Sequence, residues 1–311
     1  MLKRTLYISQ PASLRLELLQ LKMLLTDEHG EEKEHSFPIE DLGMIILDHP
    51  QIRLTHALMM ELMKQNVILV SCATNHMPSA LMLPYDTHTL IQERFTTQIK
   101  ASEPLKKQLW SQLVKQKILN QASVLSFLGF HDKAKLLNKF ASEVKSGDTT
   151  NREGIASNQY WPTLFHMLQS FQRDPDGAPP NNYLNYTYAI LRAATAQSLI
   201  EVGLLPMVGL HHHHRSNAFC LADDLMEPYR PFVDLHVYQL IQTHGLQENL
   251  TREIKAQLLR ILYVDCEIKK ETSPLLNALL ISAHSLQKCL AGKNKKLQLP
   301  NLSSYGKSQI K

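Results

Sequence analysis

Residues 181–234 read NNYLNYTYAILRAATAQSLIEVGLLPMVGLHHHHRSNAFCLADDLMEPYRPFVD. The first part, Asn181–Gly203, is apolar nearly all round at helical spacing: Tyr183, Leu184, Tyr186, Tyr188, Ile190, Leu191, Ala194 and Leu199. A helix without a polar face is the central one of its domain. Arg192 inside it needs a partner. The second part, Gly203–Asp234, brings imidazoles, carboxylates and arginine into one span. An ordinary core segment would not bear the desolvation of so many ionisable groups. Histidine followed by Asp and Glu is a natural ligand set for a divalent cation. Carboxylates suit Mg²⁺ and Mn²⁺, and imidazole leans toward Mn²⁺ or Zn²⁺. Only one of His211–His214 need bind. Asp224 and Glu227, spaced i, i+3, share one side of a helical turn, and Asp223 with Glu227 at i, i+4 does nearly as well. The same residues are also compatible with a capping acidic turn beside surface histidines.

Upstream, Ser146–Glu153 is a polar lead-in to another helix that Asp148, Thr149 or Thr150 can cap. Glu153 then falls in its first turn, where the helix dipole favours an ionised carboxylate. Tyr160, Leu164 and Leu168 make its side of the helix apolar. Glu153 thus sits at the edge of a buried face, where it either supplies the missing carboxylate or simply compensates the helix dipole. After Asp234 the pattern gives helices at Pro231–Thr243, Leu250–Ile261 and Pro274–Leu290, with Tyr263–Ile268 between the last two. The tail from Gly292 carries five lysines and few large apolar residues, so it reads as mobile or ordered only by a partner.

The chain before residue 85 has a different period. Thr5–Ile8, Ser13–Glu17, Leu21–Leu25, Met44–Leu47, Val67–Val70 and Ala80–Leu83 read as strands, with a polar turn at 27–32. Thr55 caps a helix over Thr55–Gln65. A boundary at 84–88 leads to helices at Leu90–Lys100 and from Ser102, the second with Ser102 as cap and Pro104 in its first turn. Lys106, Lys107, Lys115 and Lys117 form a basic face there that reads as solvated or facing a DNA backbone. The expected fold class is α+β: a strand-rich, β-sandwich-like domain (1–84), a larger all-α catalytic domain (85–291) and a basic tail (292–311).

The 311 residues are 44% hydrophobic and 20% charged, with a net charge of +4, as in a globular protein. Nucleic acid is permitted as a partner and not required. Cys72, Cys220, Cys266 and Cys289 form no zinc knuckle or C-x-x-C pair and read as free thiols in a cytoplasmic protein. No signal-peptide pattern or membrane-spanning apolar run occurs. H-E-x-x-H is absent, against a zinc hydrolase, and neither a P-loop nor a dinucleotide fingerprint is present.

Four blocks in order, NREGIASNQYW (151–161), LNYTYAILRAA (184–194), VGLHH (208–212) and AFCLADDLMEPYRPFVD (218–234), resemble the CRISPR adaptation integrases, the CRISPR-associated protein one family, and most of all its type II members. The resemblance implies metal ligands at Glu153, His212 and Glu227, with Asp224 the supporting acid, and Mg²⁺ or Mn²⁺ as cofactor. It implies transesterification, in which the 3′-hydroxyl of captured duplex DNA attacks a CRISPR repeat. It implies a homodimer through the strand-rich domain, a small CRISPR-associated protein two dimer as partner, and a link to the type II effector machinery. Arg152 and Tyr160 are candidates for holding DNA. The competing expectations are a nuclease that resolves branched DNA in repair, and a DNA-binding scaffold with an inactive site.

Overall fold

A computed structural model describes residues 3–26, 32–84, 89–168 and 171–302. The polar turn at 27–31, the boundary at 85–88, and Lys307 and Lys311 of the tail lie outside the described residues. The chain divides into two compact units, 1–89 and 90–311.

The first unit holds strands β1 (Arg4–Ile8), β2 (Ala12–Glu17), β3 (Gln20–Thr26), β4 (Glu32–Pro38), β5 (Leu42–Leu47) and β6 (Ile52–Leu54), helix α1 (His56–Lys64), and strands β7 (Ile68–Cys72) and β8 (Pro78–Met82). They form two four-stranded mixed sheets, ordered β1-β5-β7-β8 and β4-β3-β2-β6. In the first, β1, β5 and β7 run parallel and β8 is antiparallel. Alternation sends Ile8, Leu42, Ile45 and Leu69 of one sheet and Leu14, Leu21 and Met23 of the other into a single core, joined by Leu58 and Leu62 of α1. Thr55 caps α1 through its side chain, which accepts from Leu58 N–H.

The second unit is helical: α2 (Ile91–Ile99), α3 (Glu103–Phe127), α4 (His131–Ser142), α5 (Arg152–Leu164), α6 (Asn181–Glu201), α7 (Cys220–Met226), α8 (Arg230–His244), α9 (Arg252–Leu258) and α10 (Leu275–Leu290). It is not all-α: β9 (Asp265–Ile268) and β10 (Glu271–Pro274) form an antiparallel hairpin between α9 and α10. Helix α6 is buried over almost its whole length and packs against α7, α8 and α10, as a surface apolar nearly all round requires. Ser102 precedes α3 in extended backbone, but its side chain makes no capping hydrogen bond.

The described part of the tail is tied down, contrary to the expectation of a mobile segment. Its backbone supplies the partners that its composition lacks. Leu297 N–H donates to Gln112 at 2.9 Å, Asn301 bridges Glu267 of β9, and Leu302 is buried. Asn120, fully buried in α3, donates to the carbonyls of Pro300 (3.0 Å) and Pro228 (2.7 Å) and accepts from Leu302 N–H.

Candidate active site

Helix α3 carries Trp110 and Lys117 on one face, two turns and about 10 Å apart. Each receives a different part of the site.

At Lys117 two carboxylates meet. The first comes from the start of α5. There Asn151, in left-handed backbone at φ 49°, accepts from Gly154 N–H, while the Asp148 carboxylate accepts from Arg152 N–H (2.9 Å) and Glu153 N–H (3.0 Å). The helix start is thus held by Asp148 and Asn151, and Glu153 projects from the first turn toward α3. Its Oε1 lies 2.6 Å from Lys117 Nζ. The second carboxylate is Glu227, buried in the 3-10 turn Glu227–Tyr229 that joins α7 to α8. Its Oε2 also lies 2.6 Å from Lys117 Nζ, and its Oε1 accepts from Arg230 Nε at 2.8 Å. The Lys117-bound oxygens of Glu153 and Glu227 are therefore no farther apart than twice 2.6 Å. Glu227 Oε2 is thus buried against the ammonium as a close ion pair. Burial alone would raise the Glu227 pKa, but Arg230 and Lys117 outweigh it and bring it down to about 2. Burial likewise pushes Lys117 toward neutrality, and Glu227 and Glu153 reverse this and hold it charged, above its ordinary value. Glu227 is thus ionised at neutral pH, as a cation ligand must be.

At Trp110 the histidine loop docks. His211 stacks on the indole, with centroids 4.3 Å apart and planes 4° from parallel, and His212 meets it edge-on at 5.6 Å. Asp224, fully buried in α7, organises the loop. It accepts from the backbone N–H groups of Leu210, His211 and His212, and its Oδ1 lies 2.7 Å from His212 Nδ1. This contact fixes the ring and leaves Nε2 as the nitrogen able to bind a cation, the usual arrangement when a carboxylate orients a metal-binding imidazole. The hydrogen bond to Asp224 raises the His212 pKa, against burial. Gly209 makes the close turn possible. A Cβ there would run into the His212 carbonyl and stand 2.9 Å from Asp224 Oδ2. His213 and His214 are exposed and turn back to His211 O and Ser216.

Asp223 and Asp224 have different partners. Asp223 takes Arg192 Nε at 2.6 Å and Asn217 Nδ2 at 2.7 Å, which also gives Arg192 the counter-charge it required. Asp224 holds the His loop through both oxygens, so it acts as a positioning residue.

The fold therefore brings Glu153 to Glu227, and His212 to Asp224. His212 and Glu227 lie within each other's field, each shifting the other's titration. Among the described residues, however, no three His, Cys, Asp and Glu side chains are already closed around one point. A lysine ammonium stands between the two glutamates. The donor types still fit a divalent ion: two carboxylates, one of them buried, and an imidazole with one nitrogen fixed.

Two expectations need correction. Tyr160 is fully buried, with its hydroxyl donating to Asp234 Oδ2 at 3.1 Å, so it supports the core instead of touching DNA. Asp234 also accepts from Tyr188. Lys117 does not belong to a solvated basic face, because it points inward. Arg152 pairs with Glu143 at 3.2 Å and lies over the Phe140 ring. Lys117, Trp110, Gly209 and Asn120 were not singled out as site residues from sequence.

The family model for CRISPR associated protein Cas1 matches residues 6–260. The chain belongs to the Cas1 family. A curated relative, the CRISPR-associated endonuclease Cas1 of Neisseria meningitidis, is 40% identical over 91% of this chain and 92% of its own length. A CRISPR-associated endonuclease Cas1 of Francisella tularensis subsp. novicida is 24% identical over 76% of this chain and 79% of its own. Among solved structures, a casposase bound to integration product superposes with a TM-score of 0.77 at 22% identity, covering 97% of this chain and 93% of that one. A Cas1 protein from Thermotoga maritima gives 0.70 at 17% identity, covering 94% and 98%. These two likenesses establish the Cas1 fold, a strand-rich N-terminal region followed by a helical part.

Proposed function

We propose that this Cas1 chain is a divalent-metal-dependent DNA endonuclease and integrase of CRISPR spacer acquisition. The observation that carries the reading is the meeting of Glu153, from the start of α5, and Glu227, from the turn between α7 and α8, across a single cationic group, with His212, oriented by Asp224, in the field of Glu227. Glu153, Glu227 and Nε2 of His212 would hold Mg²⁺ or Mn²⁺. Bound there, such an ion would neutralise charge on the scissile phosphate and ease loss of the attacking hydroxyl's proton.

The protein's own groups do the positioning. Asp224 holds the imidazole in one tautomer. Arg230, 2.8 Å from Glu227, keeps that carboxylate ionised and aimed. Asp148 and Asn151 fix the first turn of α5 and so the direction of Glu153. A 3′-hydroxyl of captured duplex DNA attacks a phosphodiester at the border of a repeat. One P–O bond forms as another breaks, so the exchange needs no external energy source. With water as the nucleophile, the same site cuts branched DNA. The casposase that shares this fold was captured with an integration product, which makes joining the reaction to test first.

The assembly that goes with this activity is a homodimer working with a small CRISPR-associated protein two in the cytoplasm, in concert with type II effector machinery. A Cas6-RT-Cas1–Cas2 complex is among the structures whose fold this chain shares, with a TM-score of 0.71 over 94% of this chain and 35% of that one. Among the described residues no helix is long and apolar enough to cross a membrane.

The test is a joining assay with a labelled duplex and a repeat-bearing plasmid. Joining should require Mn²⁺ or Mg²⁺ and vanish in Glu153→Gln and Glu227→Gln, while circular dichroism stays that of the wild type. Full joining in chelator, or in either variant, would refute the reading.

A further inference from the structure

Two carboxylates this close, one nearly buried, cannot both stay ionised without a compensating charge. Here the compensation is internal. Lys117 Nζ contacts both at 2.6 Å with only 11% of its side chain exposed, and Arg230 takes the other oxygen of Glu227. Among these four groups the two cations match the two carboxylates with no metal present. A divalent ion entering between the glutamates would add a surplus of positive charge at the ammonium's own position, and two cations cannot share it. Glu153 is the more open side, 25% exposed against 5% for Glu227. Lysine, a point charge on a flexible four-carbon stem, can leave along it.

We infer that Lys117 is the resident counter-cation of the Glu153–Glu227 pair, and that a divalent ion enters the site by displacing its ammonium toward solvent past Glu153. The inference rests on the metal reading above and adds to it. The metal-free site is held together by the chain itself, and metal affinity is set by a competition with Lys117.

The experiment measures Mn²⁺ binding to the full chain from the paramagnetic resonance signal of free Mn²⁺. Wild type, Lys117→Met and Glu227→Gln are compared. Lys117→Met should bind Mn²⁺ more tightly, by about tenfold or more, because no ammonium has to move. In chelator the same variant should melt below wild type, with the gap closing at saturating Mn²⁺. Binding lost in Glu227→Gln but no tighter in Lys117→Met overturns this inference alone. Binding that Glu227→Gln leaves unchanged places the ion elsewhere and overturns the metal reading as well. If Lys117→Met does not fold, the wild type decides. Acylation of Lys117 by an amine-reactive reagent, mapped by mass spectrometry, should increase on adding Mn²⁺. Labelling that stays constant or falls overturns the inference.

Discussion

Asp224→Asn is the substitution whose consequence follows most directly from the geometry. The two carboxylate oxygens of Asp224 receive the N–H groups of Leu210, His211 and His212 and face Nδ1 of His212. An amide of the same shape has one accepting oxygen. Turned toward Leu210 and His211, its NH₂ meets two backbone donors; turned toward His212, it meets one backbone donor and an Nδ1 that can accept from it in the other tautomer. Each buried donor left without an acceptor costs about 1–3 kcal/mol, so the cheaper orientation comes to about 1–3 kcal/mol. For a unit of this size, about 2–4 °C of Tm follows each kcal/mol, giving a fall of about 2–12 °C. His212 loses its fixed tautomer, and Mn²⁺ affinity should drop by about 10- to 100-fold, the usual cost of removing a carboxylate behind a metal-binding imidazole. Thermal unfolding followed by circular dichroism, and Mn²⁺ titration of the same sample, check both numbers. A variant that melts with the wild type and binds Mn²⁺ equally well would refute the role given to Asp224.

Two further substitutions probe the surroundings. Gly209→Ala places a methyl against the His212 carbonyl and Asp224 Oδ2; it should cost about 2 kcal/mol in unfolding and abolish strand joining, whereas wild-type joining would show that the loop tolerates a wider turn. Tyr160→Phe removes one hydrogen bond to Asp234 and should lower stability by about 1 kcal/mol with unchanged DNA affinity by fluorescence anisotropy; weaker DNA binding at unchanged Tm would return Tyr160 to the DNA surface.

The parts of this molecule that could be read from sequence are those where one physical requirement dominates. Helix α6 has no polar face and is central. Thr55 stands before an apolar helical pattern and caps it. The span from Gly203 to Asp234 is rich in ionisable groups, which makes it a candidate site from sequence, and its His211, His212 and Glu227 converge on α3. What could not be read depended on groups lying across space. Strand β4, EKEHSFP, has neither alternation nor a hydrophobic run, because it is the exposed edge of its sheet and exists through pairing with β3. Lys117 looks like its neighbouring lysines along the chain, and only the arrival of Glu153 and Glu227 distinguishes it. The segment Gly292–Leu302 has the composition of a free tail. It is ordered by Gln112 and Asn120, which lie far away in the sequence.

The central claim is that one ion is held jointly by Glu153, Glu227 and His212. Pulsed electron paramagnetic resonance of the Mn²⁺-loaded protein addresses it directly, because a coordinating imidazole nitrogen couples to the metal's electron spin and the neighbouring His211, His213 and His214 serve as internal controls. The account predicts a nitrogen coupling in the wild type that disappears in His212→Ala and survives in His213→Ala. A wild-type spectrum without nitrogen coupling, or one that His212→Ala leaves intact, would contradict it.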